Sequence, residues 1–386
     1  MNLNIINKAM KNNTRFFLQF GGQGAPWIKE FARYYNDSKM KNFYNAVISA
    51  INEAIELTGK TDFLPAGFNI KSWLDNEDKV PQDDYLFMAP YSMPMIQAAQ
   101  FAHFEYLTLN GFNRSNMLKF SKGATGHSQG IISAAFSLLD LDDENYYKAI
   151  KQYTKYLFFM GLRSQEAYPE ILPNEKQILK SAELENKPPA PMAAVLGETH
   201  EKIQKMTEEI NKELPENEQI YISLYNTPKN RILSSTRNSL LQFQAKFNEE
   251  LKKNEIDFIY LKASCPFHSP LLKNMIEPFK NDLNKISFHL TASDIKQPLY
   301  SFFDGRNFQL DEEIPMQICE EITIKTLNWE KALSMAAKDN LITEIIDFGP
   351  GKTSQRLSTE TLTALKSEIP VYSAAVVKDQ KFLLEI

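Results

Sequence analysis

Residues 126–130 read Gly-His-Ser-Gln-Gly. This G-x-S-x-G spacing lets a chain turn sharply from a strand into a helix, because the two glycines bring no side chain to the bend, and it exposes the serine oxygen there. The stretch Ala124–Leu139 passes from a short strand-like run through that turn into helical periodicity, which makes Ser128 the candidate nucleophile. The turn also brings the N–H of Gln129 to a helix N-terminus, facing any oxyanion that forms on an acyl group carried by Ser128. A serine hydroxyl is a weak nucleophile at neutral pH and needs a base within hydrogen-bond reach, usually a histidine. The chain offers five. His127 must leave the turn in a different direction from Ser128, His103 lies on an apolar helical stretch, His200 starts a helix, and His289 alternates like a strand residue in Ser287-Phe288-His289-Leu290. His268 remains, in the proline-bounded loop Cys265-Pro266-Phe267-His268-Ser269-Pro270, where it is either the base or a surface-loop histidine.

Such groups need a scaffold to bring them together. A length of 386 residues exceeds what one hydrophobic core comfortably fills, predicting a large domain with a smaller one appended or inserted. Arg15–Phe20 reads as a buried strand running into the tight loop Gly21-Gly22-Gln23-Gly24, and Leu341–Phe348 as another strand closed by Gly349-Pro350-Gly351. Helical periodicity recurs over Lys41–Leu57 and Pro94–Leu109, so strands and helices alternate in the α/β manner. Between Pro188 and Ala263 the order is strand, helix, strand, strand, helix, strand, the ferredoxin-like βαββαβ pattern. The predicted organisation is a core of residues 1–187 and 264–386, with 188–263 as a ferredoxin-like insertion. The proline-punctuated stretch Ala167–Lys187 reads as a connecting loop holding one helical turn.

Composition narrows the function classes. Hydrophobic residues make 43% and charged residues 24%, which excludes collagen-like, low-complexity and wholly disordered chains. With 43 Lys+Arg against 48 Asp+Glu the net charge is −5, leaving no basic surplus for nucleic acid or an anionic membrane surface. Cys265 and Cys319 alone build neither a disulfide framework nor a zinc site, so no metal is expected and a reducing cytoplasm fits. The most apolar stretch, Tyr156–Leu162, is far short of the roughly 20 residues that span a bilayer, and the first twenty residues lack the apolar run of a secretion signal.

With Gly22-Gln23-Gly24 near its start, the elbow in its first half and Phe267-His268-Ser269-Pro270 after the insertion, the chain resembles the acyl-CoA:acyl-carrier-protein acyltransferase superfamily. The blocks Lys122–Gly130, Gly161–Pro169, Ser264–Ser269 and Asp347–Gly351 look like the acetyltransferase domain of the fungal-type fatty acid synthase β subunit, and like starter-unit acyltransferase domains of polyketide synthases. The resemblance covers residues 16–376 and implies an α/β-hydrolase-like parallel-sheet core. It implies a ping-pong reaction in which acyl-CoA loads Ser128 with His268 as base, and the acyl group then passes to the phosphopantetheine thiol of an acyl carrier protein. It further implies that Gln23 N–H joins Gln129 N–H in holding the oxyanion, each donor worth about 3–4 kcal/mol in comparable sites. A backbone carbonyl near Ile322 is expected to orient the histidine, and no bound cofactor is expected. Asn226 matches a family asparagine beside the site, or else forms an Asx turn before Pro228.

The acyl group is the finer question. Malonyl-specific relatives place an arginine about where Met160 stands, and a thioether cannot form the bidentate pair that an arginine gives a carboxylate. A neutral short acyl group, an acetyl starter unit, is therefore expected. Arg163 reads as structural or CoA-facing, and Met160 and Phe267 as candidates for lining the acyl pocket. Lys229 and Arg231 offer a basic patch for an acidic carrier. A malonyl-type or trans-acting polyketide transferase, or a thioester hydrolase using the same pair, stays open.

Overall fold

The computed structural model describes residues 5–12, 15–339 and 342–384. Its strands are β1 (Arg15–Phe20), β2 (Ser121–Gly126), β3 (Met192–Leu196), β4 (Tyr221–Thr227), β5 (Asn230–Ser234), β6 (Asp257–Tyr260), β7 (Leu327–Asn328), β8 (Ile342–Asp347) and β9 (Val371–Ser373). They form two sheets, ordered β2-β1-β8-β9 and β6-β3-β5-β4-β7.

In the first sheet every pairing is parallel. Parallel strands need crossover connections whose helices cover the sheet, so such strands read as continuous apolar runs. Accordingly Phe16, Phe17, Leu18, Gln19 and Phe20 of β1 are all buried. The one polar member is not stranded: Gln19 Nε2 donates to Asp347 Oδ1 at 2.9 Å, tying β1 to β8. The long helices Ala89–Leu109 and Asp143–Ala167 pack beside this core, their approach made possible at Gly161, where a Cβ would sit 2.3 Å from the Ala89 carbonyl oxygen.

The second sheet has the ferredoxin-like order, with β4 and β6 flanking the antiparallel pair β3–β5. The period-2 alternation of a strand divides its residues between two faces. Ala193 and Val195 of β3 and Leu233 of β5 join a separate core with the helices His200–Asn211 and Arg237–Lys253. The opposite face carries Met192, Ala194, Leu196, Leu224 and Ile232. β7, from after the insertion, adds to β4 in parallel and extends this sheet.

Two expectations need correction. The stretch read as a loop between Ala167 and Lys187 contains the nine-residue helix Glu175–Glu183. Its start is a capping box, in which Asn174 and Gln177 each accept the other's backbone N–H. His289 lies in no strand, and its segment runs as irregular chain after the helix Ile276–Lys285.

Candidate active site

The elbow forms because its glycines are sterically obligatory. A Cβ at Gly126 would lie 1.9 Å from the Gly130 carbonyl carbon, and one at Gly130 would lie 2.3 Å from the Phe20 carbonyl oxygen. With both absent, β2 turns directly into the helix Gly130–Ser137, and His127 N–H bonds to the Phe20 carbonyl at 2.8 Å. Ser128 sits at the bend with φ 54°, a left-handed conformation that costs a non-glycine residue about 1–3 kcal/mol and is kept at functional sites. His268 has φ 59°, so both halves of the candidate pair are held in strained backbone.

Ser128 Oγ and His268 Nε2 are 2.8 Å apart. On the other side of the ring, Nδ1 lies 2.9 Å from the Lys325 carbonyl oxygen. A carbonyl only accepts, so Nδ1 carries the proton and Nε2 presents its lone pair to the serine O–H. Burial pushes His268 down to about 4, against the partial opposition of its bond to Lys325, so the ring is neutral near pH 7. A neutral imidazole facing a serine hydroxyl can take its proton. The orienting carbonyl is therefore that of Lys325 and not Ile322. The helix Ile314–Thr323 keeps the Ile322 carbonyl in its last turn, whereas the chain bends back beyond it, Lys325 N–H returning to the Glu320 carbonyl at 2.9 Å.

His127 points elsewhere. Its Nε2 donates to Asn226 Oδ1 at 2.8 Å, its ring stands 5.2 Å from that of Trp329, and burial lowers it too to about 4. Asn226 thus ties the insertion to the elbow, and its own carbonyl accepts from Thr361 Oγ1 at 3.1 Å.

The loop after β1 brings Gln23 to the same cavity. Gly21 N–H donates to the Gly349 carbonyl at 2.8 Å, and Gln100 Nε2 bridges the Gly21 and Gly349 carbonyls at 2.7 and 2.9 Å. Gly349 is anchored in turn by the buried Asp347, whose carboxylate accepts from Gln19, Ser354, Ser373 and Gly349 N–H. Burial raises Asp347 to about 6 despite those four donors. The Gln23 and Gln129 side chains are committed to Ser92 and to the Met93 carbonyl. Among the described residues no hydrogen bond occupies the backbone N–H of either, so both can serve an oxyanion.

The cavity these groups share has a volume of about 310 Å³. Ser128 (8% exposed), His268 (2%), Phe267, Leu224 and Ile232 form its buried end, and Ile259, Lys262 and Arg356 its open rim. Phe267 and Asn226 are in the wall as expected from sequence; Met160 and Arg163 are not. Met160 is fully buried in the helix core. Arg163 is held bidentately by Asp282 at 2.6 and 3.0 Å and by Glu166 at 2.6 Å. Arg231 is likewise turned inward, donating to the Thr227 carbonyl, so it offers no surface patch with Lys229. The aliphatic wall supplied by β3 to β6 was not singled out in the sequence, where β3 is apolar at every position and its two faces look alike.

A family model described as "Starter unit:ACP transacylase in aflatoxin biosynthesis" matches residues 18–268. The fatty acid synthase subunit β of Saccharomyces cerevisiae is 30% identical over 366 residues, covering 89% of this chain and 18% of that protein. The chain thus spans less than a fifth of the length of that relative. Among solved structures, the malonyl-CoA:acyl carrier protein transacylase of Xanthomonas oryzae pv. oryzae aligns with a TM-score of 0.68 at 17% identity, over 96% of this chain and 98% of that one. A malonyl transacylase solved in complex with its type II polyketide synthase acyl carrier protein aligns with a TM-score of 0.67 at 16% identity, over 96% and 99%. Matched over most of its length, and folded as the transacylases are, the chain belongs to the starter unit:ACP transacylase family.

Proposed function

We propose that the protein moves a neutral short acyl group, an acetyl starter unit, from CoA to the phosphopantetheine thiol of an acyl carrier protein. His268 Nε2 takes the Ser128 proton as Oγ attacks the thioester carbonyl. The tetrahedral oxyanion is held by the N–H groups of Gln23 and Gln129, and its collapse expels the CoA thiolate, which leaves with the proton from His268. In the second half the carrier thiol gives its proton to His268 and attacks the acyl-serine, and Ser128 recovers the proton as it departs. Family membership carries acyl transfer to a carrier; the neutral acyl group rests on the cavity.

The single observation behind that choice is where the cations lie. The cations in the cavity lining are Lys262 and Arg356, both at the exposed rim, and Lys262 is engaged by Asp83 at 3.1 Å. Arg163 is spent on two carboxylates. A malonyl carboxylate at the buried end would give up water without a guanidinium in return, a cost that an acetyl group does not meet. Met160, out of the wall, contributes nothing directly to this selection.

The test is to load the protein with acetyl-CoA, remove excess, and follow the acyl-enzyme by intact mass with and without phosphopantetheinylated carrier. The proposal expects rapid loss only with carrier, and acetyl appearing on its thiol. Decay at one rate in both samples would make the protein a thioester hydrolase.

A further inference from the structure

The helix whose end presents Lys325 to His268 carries a carboxylate that the reaction above does not use. Glu321 is fully buried in the last turn of the helix Ile314–Thr323. Its two oxygens lie 2.9 and 2.8 Å from Ser301 Oγ, which can donate one proton between them, and Arg306 Nη1 stands 2.8 Å from Oε1. Carboxylates are rarely buried to this degree unless paired, and replacing a buried ion pair by apolar residues is often neutral for stability. Stability alone therefore does not account for the group.

Its partners show what it joins. On one side, the helix that carries Glu321 ends in the bend that offers the Lys325 carbonyl to His268 Nδ1, and the Thr323 carbonyl accepts from Ser269 N–H at 3.1 Å. On the other, Ser301 belongs to a segment bonded to β2 just before the elbow: Tyr300 N–H donates to the Ala124 carbonyl at 2.9 Å, and Thr125 Oγ1 to the Tyr300 carbonyl at 2.8 Å. The next residue, Phe302, sets its ring 5.6 Å from the His268 ring at 75°. Both restraints on the imidazole, one through Nδ1 and one against the ring, thus meet at one buried carboxylate.

We propose that Glu321 is a positioning residue for His268, locking the helix end that presents Lys325 to the segment that carries Phe302 and leads into the nucleophile strand. This rests on His268 being the base. The cross-link fixes the distance between nucleophile and base, where small misplacements are expensive.

The experiment compares single-turnover acylation by acetyl-CoA in the wild type, Glu321→Gln, and Val47→Ala, a core variant in the distant helix Lys41–Thr58 used as a stability control. Arg306 keeps Asp311 at 2.7 Å and Asp304 at 2.9 Å, so Glu321→Gln strands no guanidinium. The expected result is a fall of about tenfold in the saturated acylation rate with KM for acetyl-CoA unchanged within about twofold. The proton resonance of His268 Nδ1–H should shift or broaden in the same variant, and Val47→Ala should leave rate and resonance alone. A wild-type rate and resonance in Glu321→Gln, or equal rate losses in both variants, would overturn the proposal. If Glu321→Gln does not fold, Ser301→Ala breaks the same link and is judged by the same readouts. Absence of acyl-serine in the wild type would instead remove the base assignment itself, a separate failure.

Discussion

The parallel sheet and the insertion's sheet border one cavity, but the first reaches it with its strand ends and the second with a face. β1, β2 and β8 deliver the Gln23 loop, the Ser128 elbow and the Gly349 turn from their C-terminal ends, the usual location of chemistry in open α/β sheets. Behind them the C-terminal halves of these strands are buried on both faces. β3 to β6 contribute no reacting group; they present alternate residues, Met192, Ala194, Leu196, Leu224, Ile232 and Ile259, as an apolar wall, while the residues between them hold two helices. In the proposed reaction, fixed backbone ends would set the chemistry and a replaceable face what fits.

That division can be broken at its most rigid point first. Gly130→Ala should cost about 3 kcal/mol or more in chemical denaturation and abolish acylation, because its Cβ would meet the Phe20 backbone at 2.3 Å, where no side chain can yield. Leu233→Ala, on the helix-facing side of β5, should lose about 2–4 kcal/mol yet leave KM for acetyl-CoA near wild type. Ala194→Phe, one register away on the cavity face of β3, should do the reverse: raise KM about tenfold with little change in the denaturation midpoint. If Leu233→Ala raised KM as much as Ala194→Phe, the two faces would not be separate functions.

The smallest expected effect is in pH dependence. Because burial holds His268 near 4, the ring itself should titrate only near pH 4, read from its imidazole resonances; a fall in acylation rate at higher pH would belong to Glu321, which burial raises to about 7, or to Asp347 near 6. The sign follows from linkage: the folded ring binds its proton less readily than an exposed imidazole at 6.5. Its contribution to stability is thus full above 6.5 and falls away as pH drops toward 4. A His268 ring that titrates near 6.5 in those resonances would contradict a buried neutral base.

Local chemistry was legible in the sequence and tertiary orientation was not. The elbow could be read because Gly126 and Gly130 act on neighbours a few residues away, and the insertion because its strands and helices follow one another in the βαββαβ order. His268 emerged by setting aside the other four histidines and from the resemblance. The Lys325 carbonyl could not be read, since any residue carries a carbonyl and only the bend after the helix frees this one. Arg163 and Arg231 carry no mark in sequence of whether they face substrate or turn inward; Asp282, 119 residues from Arg163, decides the first. Glu321 likewise carries no mark in sequence of its burial, which Ser301 and Arg306 decide from 20 and 15 residues away. The helix Glu175–Glu183 was within reach, because Asn174 and Gln177 have capping-box spacing, but the flanking prolines pointed toward a loop.

In the proposed function Ser128 accepts a neutral acyl group in a cavity whose cations lie at its rim. The direct measurement is a brief competition between equimolar acetyl-CoA and malonyl-CoA, read by intact mass and peptide mapping, with Ser128→Ala alongside. The expected result is an acetyl adduct mapped to Ser128, absent from the variant, with malonyl a minor species. A malonyl adduct at Ser128 in equal or greater amount would overturn the neutral-acyl selection, and acylation that survives in Ser128→Ala would overturn the nucleophile.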